Sequence, residues 1–403
     1  MFDFIRADPA KASRISPVDE LSNPGLETCL MGDRFTVIYR ITGAEPDALA
    51  TAKEICLEQT VEMPEELLAL LLDKPVADWM RGWLDHFGPV APNLFEAHIS
   101  YPIETTAFEL AQLLCVAFGN FSMKPGVRLE RLSLPDALLG HFRGPRFGRD
   151  GLRKWVRVPA RPLLLGSAKP MGLTVPQLAD VVYKMALGGI DLIKDDHGMG
   201  DLPFSPFRER VGRCVEAVMR ANRQTGFHCA YVPNVTGPAD QIRERALFAA
   251  KAGARGLLIL PGLTGYDAVR QLAADDEIAL PIVIHPALLG SLYVTPSSGL
   301  SPVVIFGQLA RLAGTDASIF VNYSGRFSIP REDCIAIAAA SAAPMGRLKP
   351  MFPAPGSSIG PEQLIESRQI YGDEVVYVMG RGLYQRSADL VKNARACREM
   401  VEK

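Results

Sequence analysis

Apolar and polar positions alternate along DRFTVIYRITG (33–43), the two-residue period of a strand with one buried face. A helical period follows from Pro46 to Leu57. EAHISYPIE (96–104) reads as a second strand, and TAFELAQLLCVAFG (106–119) as a helix with an apolar face. Trp79 and Trp83, four apart in a stretch of helical period, are expected to share one packed face. Strands and helices without a strict beat predict an α+β domain over 1–147. FRGPRFGRDG (142–151), rich in Gly, Pro and Arg, is the expected crossing into the next domain. Residues 1–30 are polar and turn-rich and are expected to wrap the surface or a partner.

From residue 148 a regular beat sets in. Apolar strand runs fall at 162–169, 190–197, 228–236, 256–262, 280–287, 318–325, 348–356 and 374–382. Helical periods lie between them, among them 174–189, opened by Thr174 and closed by glycines, 206–226 and 301–314. A last helical period, 387–403, closes the chain. Eight strand–helix units within about 240 residues match a TIM barrel. A doubly wound sheet also alternates strands and helices, but rarely through so many regular units. The expected class is therefore α/β, with a C-terminal (β/α)8 barrel over 148–403 behind the α+β N-terminal domain. A GxGxxG phosphate loop is absent, and MGRG (379–382) is too short to be one.

Composition narrows the function. The 403 residues are 48% hydrophobic and 22% charged, with a net charge of −2, which gives no pull toward nucleic acid or an anionic membrane. No apolar run is long enough to cross a bilayer, and MFDFIRADPAKASRISP lacks the apolar core of a secretion signal. The seven cysteines stand singly, with no CxxC or zinc spacing, as expected of reduced thiols in a cytoplasmic protein.

Barrel chemistry sits at the C-terminal ends of the strands. Those ends carry Lys169; Lys194, Asp195, Asp196 and His197; Asn234 and Thr236; His285; Asn322, Ser324 and Arg326; Gly356, Ser357 and Ser358; and Gly380, Arg381 and Gly382. Alternation along a strand puts Lys194 and Asp196 on one side and Asp195 on the other. A lysine and a carboxylate facing a barrel mouth form either a salt bridge or, with the lysine carbamylated, a seat for a hard cation, with His197 as a third donor. Lys169 is either a surface lysine or a base, the latter only where burial or neighbouring positive charge lowers its pKa. His86, His98, His141 and His228 lie off these ends and are expected to pack or face solvent.

GSAKPMGLT (166–174) followed by GGIDLIKDDH (188–197) resembles the lysine–proline loop and metal-binding strand of the ribulose-bisphosphate carboxylase large chain. GNFSMKPGVRLERLSLP (119–135), FRGPRFG (142–148), PNVTG (233–237), HPALLG (285–290) and the 353–382 region follow in the family's order, so the resemblance spans nearly the whole chain. It implies that Lys194 is carbamylated and binds Mg2+ with Asp196, with His197 standing where the family has a glutamate. Imidazole is a weaker partner for Mg2+ than carboxylate. It also implies that Lys169 handles protons, that His285 is catalytic, and that Asn234, Arg326, Gly356, Ser357, Ser358, Gly380, Arg381 and Gly382 hold substrate. Glu58 and Asn120 are implied to be lent to a partner subunit's site, hence an obligate homodimer; Glu54 competes with Glu58 for that match.

Departures from the family point away from CO2 fixation. Met171 replaces its second active-site lysine, Arg326 its mobile-loop lysine, and Pro286 and Leu289 an arginine and a histidine; Ile319 falls near the histidine of strand 6. One phosphate grip is thereby removed. This is the pattern of the form IV, RuBisCO-like proteins, which implies enolisation of a phosphorylated keto-sugar or 3-oxo sugar acid at a Mg–carbamate centre. Decarboxylation of a 3-oxo sugar-acid phosphate, of the 3-oxo-isoapionate 4-phosphate type, is the first expectation, and isomerisation of 5-methylthioribulose 1-phosphate the second. A silent regulatory or binding protein is the rival of another class, and would be expected to have lost Lys194 or Asp196.

Overall fold

The computed structural model describes residues 32–324, 327–356 and 361–403. The first thirty residues, Arg326, Ser357 and Ser358 lie outside these. Strand β1 (Arg34–Thr42) runs antiparallel between β3 (Leu94–Pro102) and β4 (Val127–Ser133), with β2 (Trp83–Ala91) on the edge beside β3. Phe35, Val37, Tyr39 and Ile41 alternate into the core, as the two-residue period requires, under helices Glu45–Glu58 and Leu110–Phe118.

Strands β2 and β4 were not foreseen. β2 exposes most of its residues and shows no apolar alternation, so pairing with β3 defines it. β4 is short, and the β1–β4 register shifts between Ile38 and Tyr39, which breaks the period. The shared face expected of Trp79 and Trp83 is also corrected. Trp79 is buried in helix Lys74–Met80, whereas Trp83 opens β2, half exposed, with the Arg34 guanidinium 3.9 Å from its ring centre.

All eight predicted barrel strands form. They are β5 (Leu163–Ala168), β6 (Leu192–Asp195), β7 (Ala230–Val232), β8 (Leu257–Ile259), β9 (Ile282–Ile284), β11 (Ala317–Val321), β12 (Phe352–Gly356) and β13 (Val376–Met379). Parallel pairing runs β13–β5–β6–β7 and β8–β9–β11–β12; an Asn234–Leu258 bridge joins β7 to β8, and β12 lies beside β13. The runs are apolar on both sides because both are buried. Leu163, Leu165, Leu192, Val232, Leu258, Val283, Ile319, Ala354, Val376 and Val378 fill the barrel, each worth roughly 1.5–3 kcal/mol for a large side chain. Leu164, Ile193, Tyr231, Ile259, Ile284, Phe320 and Tyr377 pack outward in the surrounding core.

A two-residue strand, β10 (Gly299–Leu300), leaves the barrel to pair in parallel with β4, welding it to the N-terminal sheet. Gly299 is required there: its φ is +89°, and a Cβ would fall 2.1 Å from the Leu292 carbonyl oxygen. Gln308 adds hydrogen bonds to Leu132 N–H and C=O at 2.9 and 2.6 Å. At the opposite end, buried Asp316 accepts from the backbone N–H of Phe147, Gly148 and Ile282 at 2.6–2.9 Å, fixing the crossing segment under the barrel. No helix among the described residues is long and apolar enough to cross a membrane.

Candidate active site

The inward parity that fills the barrel with Leu165, Leu192, Val283 and Val378 continues past the strand ends. It reaches Ser167 and Lys169 from β5, Lys194 and Asp196 from β6, His285 from β9, Val321 from β11, Gly356 from β12 and Gly380 from β13. All of these line one cavity of about 610 Å3, with His197 at its edge. Its remaining wall is largely apolar: Pro286, Ala287, Leu288, Tyr293, Ile319 and Phe327.

Lys194 is 1% exposed and donates to the Asp195 carbonyl at 2.9 Å. Burial, helped by the nearby Lys169 charge, pushes its pKa down to about 8 against the opposing pull of Asp196. Burial alone would raise the Asp196 carboxyl. The hydrogen bond from His197 and the charges of Lys194 and Lys169 outweigh it and hold the group well below the usual carboxylate range. Lys169 Nζ lies 3.2 Å from one Asp196 oxygen and His197 Nδ1 3.0 Å from the other. The His197 and His285 rings stack, centres 4.6 Å apart and 11° from parallel. Burial, Lys194 and His197 drive the His285 pKa well below its usual value, so its ring is neutral. His285 Nδ1 accepts the Ala287 N–H at 3.2 Å, which assigns the ring proton to Nε2.

Asp195 faces the other way. Buried completely, it accepts from Arg210 Nε (3.2 Å), Tyr231 Oη (2.5 Å) and Asn234 N–H (3.1 Å), so the adjacent acid is held behind the wall and away from the cavity. Asn234 departs from its expected role as a substrate ligand. Its side chain is outside the cavity lining, donating to the His197 carbonyl at 3.1 Å and accepting from Thr236 N–H at 3.1 Å, and so supports the β6 turn. Glu58 and Asn120 also lie away from the cavity. They bond to each other at 3.0 Å on the exposed face of the N-terminal domain, so within one chain they reach no barrel group. Glu54, the rival match, is paired with Lys124.

Arg381 lines the rim, and Arg381 and Gly382 open the short helix Arg381–Gln385, whose first N–H groups have no helical acceptor. A Cβ on Gly380 would meet nothing within 4 Å, leaving open space above this turn. Leu288, Tyr293, Phe327 and Tyr384 were missed in the sequence, because aromatic and aliphatic residues in loops carry no chemical signature.

Among the described residues, no group of three or more His, Cys, Asp or Glu side chains converges on a point. Asp196 and His197 supply two donors, so a hard cation here needs a third from Lys194. A buried amine whose pKa is lowered to about 8, so that its neutral form is reached far more readily than in an exposed lysine, has the chemistry for that beside an ionised carboxylate: only the neutral amine adds CO2 to become an anionic oxygen donor. The residues fit a divalent cation on that condition.

The model of the ribulose bisphosphate carboxylase large chain, catalytic domain, matches residues 149–325. The chain is 35% identical over 367 residues to the 5-methylthioribulose-1-phosphate isomerase of Rhodospirillum rubrum, covering 91% of this chain and 96% of that one. It is also 35% identical over 307 residues to the 2,3-diketo-5-methylthiopentyl-1-phosphate enolase of Geobacillus kaustophilus, covering 75% of this chain and 74% of that one. The crystal structure of a Rubisco-like protein from Rhodopseudomonas palustris superposes with a TM-score of 0.82 at 31% identity, over 92% of this chain and 97% of that one.

Proposed function

The chain belongs to the ribulose-bisphosphate carboxylase large-chain family as a RuBisCO-like enzyme, and from that premise we propose that it isomerises a phosphorylated keto-sugar of the 5-methylthioribulose 1-phosphate type. One observation carries the proposal: Lys169, Lys194, Asp196 and neutral His285 meet in a single cavity whose remaining lining is largely apolar. Lys169, once it has left Asp196 and given up its own proton, takes a proton from the carbon beside the ketone and returns one to the former carbonyl carbon, while the hydroxyl on the first carbon passes its proton to the former ketone oxygen, a 1,2-proton shift. His285, with its proton on Nε2, donates to the oxygen that gains charge.

Carbamylated Lys194, Asp196 and His197 would hold Mg2+, which when bound polarises the ketone. Backbone N–H groups of Arg381 and Gly382, with Gly356 opposite, would take the phosphate. Leu288, Tyr293, Ile319 and Phe327 suit an apolar tail better than a second phosphate. Ser357, Ser358 and Arg326 remain candidates for anion binding from the sequence alone.

Decarboxylation of a 3-oxo sugar-acid phosphate passes through the same kind of enolate and was the first expectation. Neither of the two enzymes compared above is a decarboxylase, and an apolar wall offers a carboxylate little, so isomerisation is the better supported. We place the enzyme in the cytoplasm, where its described cysteines, all free thiols, stay reduced. We also assign it to a homodimer in which Glu58 and Asn120 complete the partner's site.

Proton NMR in D2O, with 5-methylthioribulose 1-phosphate, Mg2+ and bicarbonate, tests the reaction. The expected result is deuterium incorporation and a new ketose signal, with Lys169→Ala slower by about 10²–10⁴-fold. CO2 release from a 3-oxo sugar-acid phosphate without isomerisation would transfer the assignment to decarboxylation. Exchange into neither substrate would return the silent, binding protein.

A further inference from the structure

Lys169 stands just beyond the reach of the sheet that should hold it. The last register pairs of β5 are Gly166 with Met379 on one side and Ala168 with Asp195 on the other. Its backbone N–H therefore falls outside the strand ladder, and Pro170, next in the chain, has no N–H to offer. A reacting amine on a four-carbon stem needs a fixed backbone if it is to meet one carbon of a substrate.

The fixing group comes from the far end of the sequence. Tyr384, in helix Arg381–Gln385, sends its hydroxyl to the end of β5, donating to the Ser167 carbonyl at 2.7 Å and accepting the Lys169 N–H at 3.2 Å. One oxygen thus closes both open backbone groups of the turn. Burial pushes the phenol up, the Lys169 N–H draws it down and the Asp196 charge raises it further, so the hydroxyl remains protonated and keeps its donor role.

The turn that carries Tyr384 is itself clamped. Asn393, 2% exposed on helix Leu390–Glu402, donates to the Leu383 and Ser387 carbonyls at 3.0 and 2.9 Å and accepts from Ser387 Oγ at 2.7 Å. Asp389 caps that helix through Lys392 N–H at 3.1 Å. The backbone from Gly380 to Ser387 therefore links the buried Asn393 to the base of Lys169: Leu383, whose carbonyl Asn393 holds, donates its N–H to the Gly380 carbonyl at 3.2 Å and is followed directly by Tyr384.

We infer that Tyr384 is a positioning residue for the reaction: its hydroxyl holds the Lys169 backbone and couples it to the turn at 380–382. The inference rests on Lys169 being the proton-moving group. It predicts that Tyr384→Phe, which keeps the ring and removes only the hydroxyl, lowers kcat about 10- to 100-fold and leaves KM within about twofold. Bonds that act only through Lys169 are worth nothing once its amine is gone. In a double-mutant cycle, adding Tyr384→Phe to Lys169→Ala should therefore cost no further activity.

The readout is deuterium exchange into 5-methylthioribulose 1-phosphate by wild type, both single variants and the double variant, with melting temperatures measured alongside. A kcat for Tyr384→Phe within twofold of wild type would overturn the inference. So would an equal further loss in the Lys169→Ala background, or a loss that appears mainly in KM. If Lys169→Ala itself exchanges at the wild-type rate, it is the reading of Lys169 as the base that fails, and the inference falls with it. A fall in melting temperature without non-additivity would make Tyr384 a structural residue only.

Discussion

A buried amine with no carboxylate bonded to it in the described contacts works against the stability of the barrel that holds it, because its charged form is penalised by burial. Lys194 sits 1% exposed, bonded only to a backbone carbonyl in the described contacts, and its pKa falls to about 8 because burial penalises the ammonium. Below that pH the amine is protonated and inert to CO2. Activation by bicarbonate should therefore rise as pH climbs through about 8, measured as exchange rate after preincubation at each pH. The linkage has the same sign. An unfolded lysine keeps its proton up to about 10.5, so between about 8 and 10.5 the unfolded chain binds more protons, and stability without bicarbonate or metal rises with pH. Lys194→Met, similar in length and apolar, should abolish activation while raising unfolding free energy by about 1 kcal/mol or more. The run of Lys194 and Asp196 was legible because the period of a strand assigns each residue a side. Asn234 was not, since nothing in a strand-end asparagine tells whether its amide turns to the cavity or to the neighbouring loop.

At the scale of elements, the eight barrel strands could be read from the sequence because apolar runs bounded by glycine and proline are what doubly buried parallel strands require. β2 and β4 lacked that signal, and the edge position of β2 explains why: with little surface buried, its sequence is free of constraint. The stretch 301–314 was expected as a regular helix and instead winds as a π-helix over Val303–Leu309, a change of hydrogen-bond register that apolar spacing does not reveal. The junction beneath the barrel was likewise hidden, because Asp316 acts on backbone groups far away in sequence. Asp316→Ala would leave the N–H groups of Phe147, Gly148 and Ile282 without their acceptor. It should cost about 2–4 kcal/mol in urea unfolding and leave the cavity's chemistry intact. A loss below about 0.5 kcal/mol would mean that water or another group replaces the carboxylate.

For the whole molecule, the fold class followed from counting strand–helix units, whereas the proposed sharing of sites between subunits has no signal in the chain beyond the resemblance at Glu58 and Asn120. Glu58 and Asn120 face outward and touch each other, which in a lone subunit serves no barrel. Shared sites predict that Glu58→Ala and Lys169→Ala, each impaired alone, recover about a quarter of wild-type activity when unfolded and refolded together. No recovery would return Glu58 and Asn120 to the surface of a self-sufficient subunit. The enolising centre itself is tested most directly by 13C NMR of the protein with 13C-bicarbonate and Mg2+. A carbamate resonance in wild type that is missing in Lys194→Met is the predicted result; a wild-type spectrum without it, at a pH above 8 and with Mg2+ in excess, would contradict a CO2-derived metal seat at Lys194.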